Sequence, residues 1–152
     1  MALARIPAAM WVATAAHEGR RRSIRAVFVQ QAAISPVLIS VALPRGPTLA
    51  PLIRETGVLG LSLLSREERY MTKRWEDKRR GLDDLLDGPE AITLTTGVPL
   101  LKRALLVLEG RIVRHLDLEA DHELFILQIL GGRALNPESS PARRKRAHGL
   151  ET

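Results

Sequence analysis

Two short apolar runs constrain this chain most. Residues 37–43 read VLISVAL, and residues 58–64 read VLGLSLL. Each is short and bounded by Pro, Gly or Ser, which suits a strand better than a helix. Both are apolar enough to be strands buried on both faces. Residues 123–130, ELFILQIL, form another strong strand. Residues 105–115 alternate, with Leu105, Val107 and Val113 on one face and Leu106, Leu108 and Ile112 on the other. Residues 9–16 give a first strand, and His17-Glu18-Gly19 gives a turn after it. Residues 23–31, SIRAVFVQQ, read as one continuous second strand. Ile92–Thr95 is a short strand candidate.

Helices are fewer and shorter. Pro44-Arg45-Gly46-Pro47 reads as a loop. Thr48 reads as the N-cap of a helix over residues 49–56, stopped by Gly57. Ser65 and Glu68 form a capping box, which predicts a helix from Arg66 towards Trp75. Residues 76–90 read as a loop with a helical turn, with Leu82, Leu85 and Leu86 as anchors. The pattern predicts a mainly β fold, a β-barrel with short helices, since closure removes exposed sheet edges.

The 152 residues suit one domain, and 45% apolar content excludes a disordered chain. The absence of cysteine excludes disulfides, iron–sulfur clusters and thiolate-bound zinc. No apolar run approaches the roughly 18–20 residues of a membrane helix. Arg5 followed by the apolar stretch from Ile6 to Ala16 has the outline of a secretory signal. A single Arg and the interrupting Pro7 favour a first strand instead, so a cytoplasmic location is expected.

The formal charge is +6, and the isoelectric point lies near 10.7. Such a balance favours anionic partners. Arg20, Arg21 and Arg22 form one basic run, and Arg143, Arg144, Lys145 and Arg146 form another. Removing the second run takes the formal charge from +6 to +2. Prolines, serines and glycine surround it, so residues 1–135 are expected to form the domain and residues 136–152 a mobile basic tail.

Motif absences narrow the chemistry. No G-x-G-x-x-G follows a strand, no P-loop is present, and there is no G-x-S-x-G elbow. The histidines at 17, 115, 122 and 148 do not pair at helical spacing, so no metal site is expected. An enzyme built from such residues would rely on a bound cofactor.

Three stretches together resemble the flavin reductase-like domain family, which folds as an FMN-binding split β-barrel. They are VFVQQAAISPVLISVALPRGPTLAPLI at 27–53, TGVLGLSLLS at 56–65, and TGVPLLKRALLVLEGRIVRHLDLEADHELFILQIL at 96–130. Within the last, Gly97, Pro99, Leu101, Ala104, Leu108, Glu109, Asp121 and His122 fall on the family's pattern. The resemblance implies NAD(P)H-dependent flavin reduction, with FMN or FAD bound, a homodimer, and a possible partner oxygenase as electron acceptor. It places the strand Arg25, Ala26, Val27 and Phe28 against the flavin. The family's early Thr and Ser are missing there, no hydroxyl following Ser23. Ser62 stands where the family has Asn, and Ser35-Pro36 stands for a Pro-Pro pair.

A flavin needs cations and N–H donors for its phosphate, an apolar slot for its ring, and an open face for hydride. Arg45, Gly46 and Thr48 suit the phosphate, or serve only as loop charge and helix cap. Phe28 and Gln30 are the ring-slot candidates. Adjacent Gln31 must face the other way. Ser62, in a buried strand, needs a partner from backbone or a flavin carbonyl. Of the basic residues Lys73, Arg74, Lys78, Arg79 and Arg80, the resemblance implies that one reaches the phosphate, with Arg79 as the candidate, the alternative being a solvated charged face. The resemblance makes His122 the candidate catalytic residue, positioning the dinucleotide or moving a proton, the alternative being a histidine that satisfies local backbone at a strand start. Glu109 needs a partner, and Arg111 is expected to supply it.

Two other classes compete. One is a non-catalytic barrel binding FMN or haem, kept open by the altered second strand. The other is a nucleic-acid-binding barrel, disfavoured because aromatics make up 3% of the chain and none interleaves the basic runs.

Overall fold

The computed structural model describes residues 2–65 and 86–135. The expected helix from Arg66, the anchors Leu82 and Leu85, and the tail at 136–152 lie outside them. A single 3-10 turn at Leu3–Arg5 precedes the sheet. The first hairpin is β1 (Trp11–His17) and β2 (Arg20–Ala26), turning through Glu18 and Gly19, both at positive φ. Then come β3 (Phe28–Ala33), β4 (Leu38–Pro44), α1 (Ala50–Thr56) and β5 (Val58–Leu63). Two-residue strands β6 (Ala91–Ile92) and β7 (Leu100–Leu101) form a small separate pair. The chain ends its description in the long hairpin of β8 (Leu106–Asp117) and β9 (His122–Ala134).

The expected strand at 23–31 is two strands. The sheet order is β2-β1-β5-β8-β9-β4-β3, so β2 and β3 sit at its opposite ends. Yet only Val27 separates them along the chain. A seven-stranded sheet whose two ends are joined by one residue has to curl until those ends meet, which makes it a barrel split along one seam. β2 approaches β4 across that seam. A bend at Val27 lets one apolar run feed both edges, and periodicity alone does not reveal such a bend.

Burial separates the two apolar runs. β5 is buried on both faces, as its sequence predicts. Leu59 and Leu61 point into the barrel core with Ala13, Ala15, Val41 and Leu127, under α1 residues Leu52 and Ile53. Its other face packs on Val98, Leu100 and Leu101, beside Met10, Val12 and Leu86. There a Cβ on Gly60 would lie 2.5 Å from Thr14 Oγ1, so the strand accepts only glycine at that point. β4 differs: Ile39, Val41 and Leu43 are buried, but Leu38, Ser40 and Ala42 are half-buried. Its expected second buried face is instead the floor of a cavity.

Three local expectations change. Helix α1 begins at Ala50, with Leu49 at the N-cap and no side-chain cap, so Thr48 lies one residue outside. Pro in the first turn removes one of the donors a cap would satisfy. Gly57 does stop the helix, at φ 64° with its N–H on Ile53 O. The expected strand at 92–95 shortens to Ala91–Ile92, because Thr95 and Thr96 bind Glu109 instead. Finally, Arg111 is not Glu109's partner. Its guanidinium donates to Gln128 Oε1, directly across the β8–β9 ladder.

No helix among the described residues is long and apolar enough to cross a membrane.

Candidate functional site

Strand register assembles the site. β3 and β4 pair Phe28 with Ala42 and Gln30 with Ser40. β4 and β9 pair Ala42 with Leu124 and Pro44 with His122. Residues directly opposite in a ladder share a face, so Phe28, Gln30, Ser40, Ala42, His122 and Leu124 face one way, outside the barrel core. Residues Leu3 to Ala8 cross in front of this face. Between them and the sheet lies a cavity of about 420 Å³, lined by Leu3, Ile6, Val27, Phe28, Gln30 and Leu124 among others. That volume lies within the range of cofactor sites.

The cavity is mainly apolar, with a few polar groups. Ser40 Oγ donates to Gln30 O at 3.2 Å. The Gln30 side-chain amide lines the wall and can donate and accept. β3 is the last strand of the described sheet, so its outer edge turns away from β4. A flat aromatic ring with a hydrogen-bonding edge fits such a donor set: apolar walls for its faces, the amide for its rim. Phe28 and Gln30, expected at a ring slot, are brought here, and so is Val27. Ser40, Ala42 and Leu124 were not singled out by sequence. The lone hydroxyl and small side chain at alternate positions of VLISVAL are the signal for them.

His122 stands at the rim. Its ring meets Phe28 edge-on, with centroids 5.2 Å apart. Its Nδ1 lies 2.9 Å from Asp121 Oδ1. The hydrogen bond and charge of His122 hold the Asp121 carboxyl below its ordinary value. An ionised carboxylate only accepts, so the proton sits on Nδ1 and donates to Asp121. Nε2 is therefore the atom left to exchange a proton.

Other expected residues fall elsewhere. Ala26 is buried in the barrel core, and Arg25 is exposed on β2. Ser62 is fully buried, and its Oγ accepts from the Leu101 N–H at 3.0 Å. That satisfies it from the backbone, on the face of β5 away from the cavity. Arg79 lies outside the described residues. Arg45, Gly46 and Thr48 line a separate, narrow cleft of about 40 Å³ with Ile24, Ile53 and Phe125.

Arg45 is occupied. Its Nε donates to Ala120 O at 2.6 Å, and Nη2 donates to Asp117. Glu123 Oε1 lies 3.7 Å from Nη1 and 3.1 Å from His115 Nε2. The Glu119 N–H and the Arg45 guanidinium hold Asp117 below the ordinary carboxylate value. This network ties the end of β4 to the β8–β9 turn and holds Arg45, the cation expected to meet a phosphate, beside Asp117 and Glu123.

The described residues therefore form a seven-stranded split barrel with a cleft on its β3–β4–β9 face. The profile of the flavin reductase-like domain matches residues 3–148, and the chain belongs to that family. A ferric-chelate reductase (NAD(P)H) of Archaeoglobus fulgidus is 28% identical over 128 residues, covering 83% of this chain and 75% of that protein. Among solved structures, the flavin reductase component of a bacterial two-component tryptophan halogenase superposes with a TM-score of 0.77. It is 19% identical, and the match covers 95% of this chain and 96% of that one. The styrene monooxygenase flavin reductase of Pseudomonas putida gives a TM-score of 0.74 at 23% identity, over 92% and 87% of the two chains. An NADH:FAD oxidoreductase of Streptomyces globisporus, in complex with NAD and FAD fragments, gives 0.78 at 17% identity, over 99% and 92%.

Proposed function

We propose that the protein is an NAD(P)H:flavin oxidoreductase that holds the flavin ring on the β3–β4–β9 face. The observation carrying this is the apolar cavity of about 420 Å³, with Phe28, Gln30 and Ser40 in its wall, in a chain of the flavin reductase-like family. A bound flavin supplies hydride acceptance and onward electron transfer. The chain's own residues do the rest. Val27, Phe28 and Leu124 exclude water from the ring's faces. The Gln30 amide orients its polar rim. His122 Nε2, at the rim, carries a proton to or from the reacting edge, while Asp121 fixes the imidazole through Nδ1. FMN fits this reading directly, and FAD is the alternative flavin.

The partners follow from the same reading. Phe28 in the cavity wall and Leu116, opposite the lining residue Leu124, leave 44% and 45% of their surfaces exposed, which supports a homodimer covering this face. The reduced product goes to a partner oxygenase, the arrangement named for the tryptophan halogenase reductase. A ferric chelate is the second acceptor, favoured by the archaeal relative. Residues 1–135 act as the domain with 136–152 as a basic tail, in a cytoplasmic setting.

The test is an absorption spectrum of the purified protein with added FMN, followed by anaerobic NADH or NADPH. Flavin bands that shift on binding and bleach with dinucleotide are expected. Bound flavin that stays oxidised with both donors leaves only a binding module.

A further inference from the structure

We infer that the crevice between β2 and the loop before α1 is a phosphate-binding subsite for a nucleotide, built on Arg20 and Arg22. The inference rests on the flavin-binding reading only for the identity of the nucleotide. The crevice has a volume of about 150 Å³ and is lined by Arg20, Arg22, Pro47, Thr48, Pro51 and Leu52. That space is below the size of a flavin- or nicotinamide-nucleotide pocket and ample for a tetrahedral oxyanion.

Its chemistry is one-sided. Two arginines and one threonine bring donors to it, and no acidic residue lines it among the described residues. Alternation along β2 places Arg20 and Arg22 on the same face as Ile24, which lines the neighbouring cleft with Arg45 and Thr48. Arg21 points the other way and pairs with Asp87, so the arginine run divides by parity. Arg22 gives one donor to the Arg21 carbonyl at 2.8 Å and keeps the rest of its fork. Arg20 has no partner among the described residues. Arg45, one loop away, is the contrasting case, held by Asp117, Glu123 and Ala120 O. Guanidinium forks match phosphate oxygens bidentately, and a cation already paired to two carboxylates offers little to a third anion. Among the described residues, the cations beside Thr48 without a carboxylate partner are therefore Arg20 and Arg22.

Two nucleotides present such a group: the flavin, through its phosphate, and the dinucleotide donor, through its 2′-phosphate. The experiment uses the full-length flavin-free protein and its Arg20→Ala/Arg22→Ala variant, which keeps the Arg21–Asp87 pair. Affinities for FMN and for riboflavin, which lacks the phosphate, are read by flavin fluorescence. Affinities for NADPH and NADH are read by calorimetry, with inorganic pyrophosphate as a probe independent of any flavin. A loss of about 10–100-fold for FMN with riboflavin unchanged assigns the subsite to the flavin phosphate. The same loss for NADPH with NADH unchanged assigns it to the dinucleotide. Equal affinities of the two proteins for FMN, NADPH and pyrophosphate overturn the inference. A parent protein that binds pyrophosphate through these arginines but neither FMN nor riboflavin upholds the subsite and removes the flavin reading.

Discussion

Glu109→Gln is expected to be among the most damaging single-atom exchanges in the molecule. Glu109 is fully buried in β8, where the sequence alone shows a charge in an apolar strand. Its two carboxylate oxygens accept four hydrogen bonds. Thr95 gives its N–H at 2.8 Å and hydroxyl at 2.5 Å to Oε1, and Thr96 gives its N–H at 3.1 Å and hydroxyl at 2.6 Å to Oε2. Burial by itself would raise this carboxyl's pKa, but the hydroxyls and N–H groups of Thr95 and Thr96 outweigh it and hold the pKa below its ordinary value. Glutamine replaces one acceptor with a donor that faces two donors. Hydrogen bonds to a charged group contribute about 1.5–3 kcal/mol each, and an orphaned buried donor costs about 1–3 kcal/mol. A rotated threonine hydroxyl recovers part of this, so the net loss is about 3–5 kcal/mol, a large share of a typical domain's stability. With a urea m-value of about 1–3 kcal/mol/M, the midpoint should fall by at least about 1 M. A loss under about 1 kcal/mol at pH 7 would refute the clasp as a net stabiliser. The sign with pH follows. The folded pKa is depressed, so this stability is fully present above the unfolded glutamate value of about 4.3 and drains away as pH falls towards the folded value. The Gln variant should lose that acid-side slope.

Other outcomes are as direct. Gly110→Ala should destabilise the β8–β9 ladder by about 1–3 kcal/mol in urea unfolding, because its Cβ would lie 2.8 Å from the Gln128 carbonyl oxygen. An unchanged midpoint would mean the bulged ladder relaxes freely. His122→Ala should slow anaerobic flavin reduction about 10-fold or more, with FMN affinity retained. An unaltered stopped-flow rate would remove His122 from proton handling. Arg45→Ala should lower the melting temperature by releasing Asp117 and Glu123, while FMN affinity changes less than about twofold; a tenfold loss of affinity would restore Arg45 as a phosphate ligand. Deletion of residues 136–152 should leave the melting temperature within about 2 °C, and a larger drop would place the tail in the folded body.

Legibility followed the range of the interactions involved. VLGLSLL and ELFILQIL announced their strands because burial of a whole segment is written in consecutive residues. Gly57 announced the end of α1 because a left-handed residue is a local requirement. Phe28, Gln30 and His122 were found as members of a pattern, and register then put them on one face. Arg111 is not Glu109's partner because Thr95 and Thr96 reach it from a loop 14 and 13 residues away in the chain. Thr48 failed as a cap by one residue, a distance that local propensity does not resolve.

The sequence by itself determined the strand-rich class, the family, the early hairpin turn and the need of Glu109 for a partner. Each of these depends on composition or on neighbours within a few positions. Only the tertiary structure decided that SIRAVFVQQ divides at Val27 to close the barrel, and that one face of VLISVAL floors a cavity. It also decided which arginines are paired: Arg45 meets Asp117, 72 residues away, whereas Arg20 and Arg22 line a crevice with Thr48 and have no acidic partner among the described residues. Charge is read from sequence, but its availability depends on which distant carboxylates the fold brings within reach.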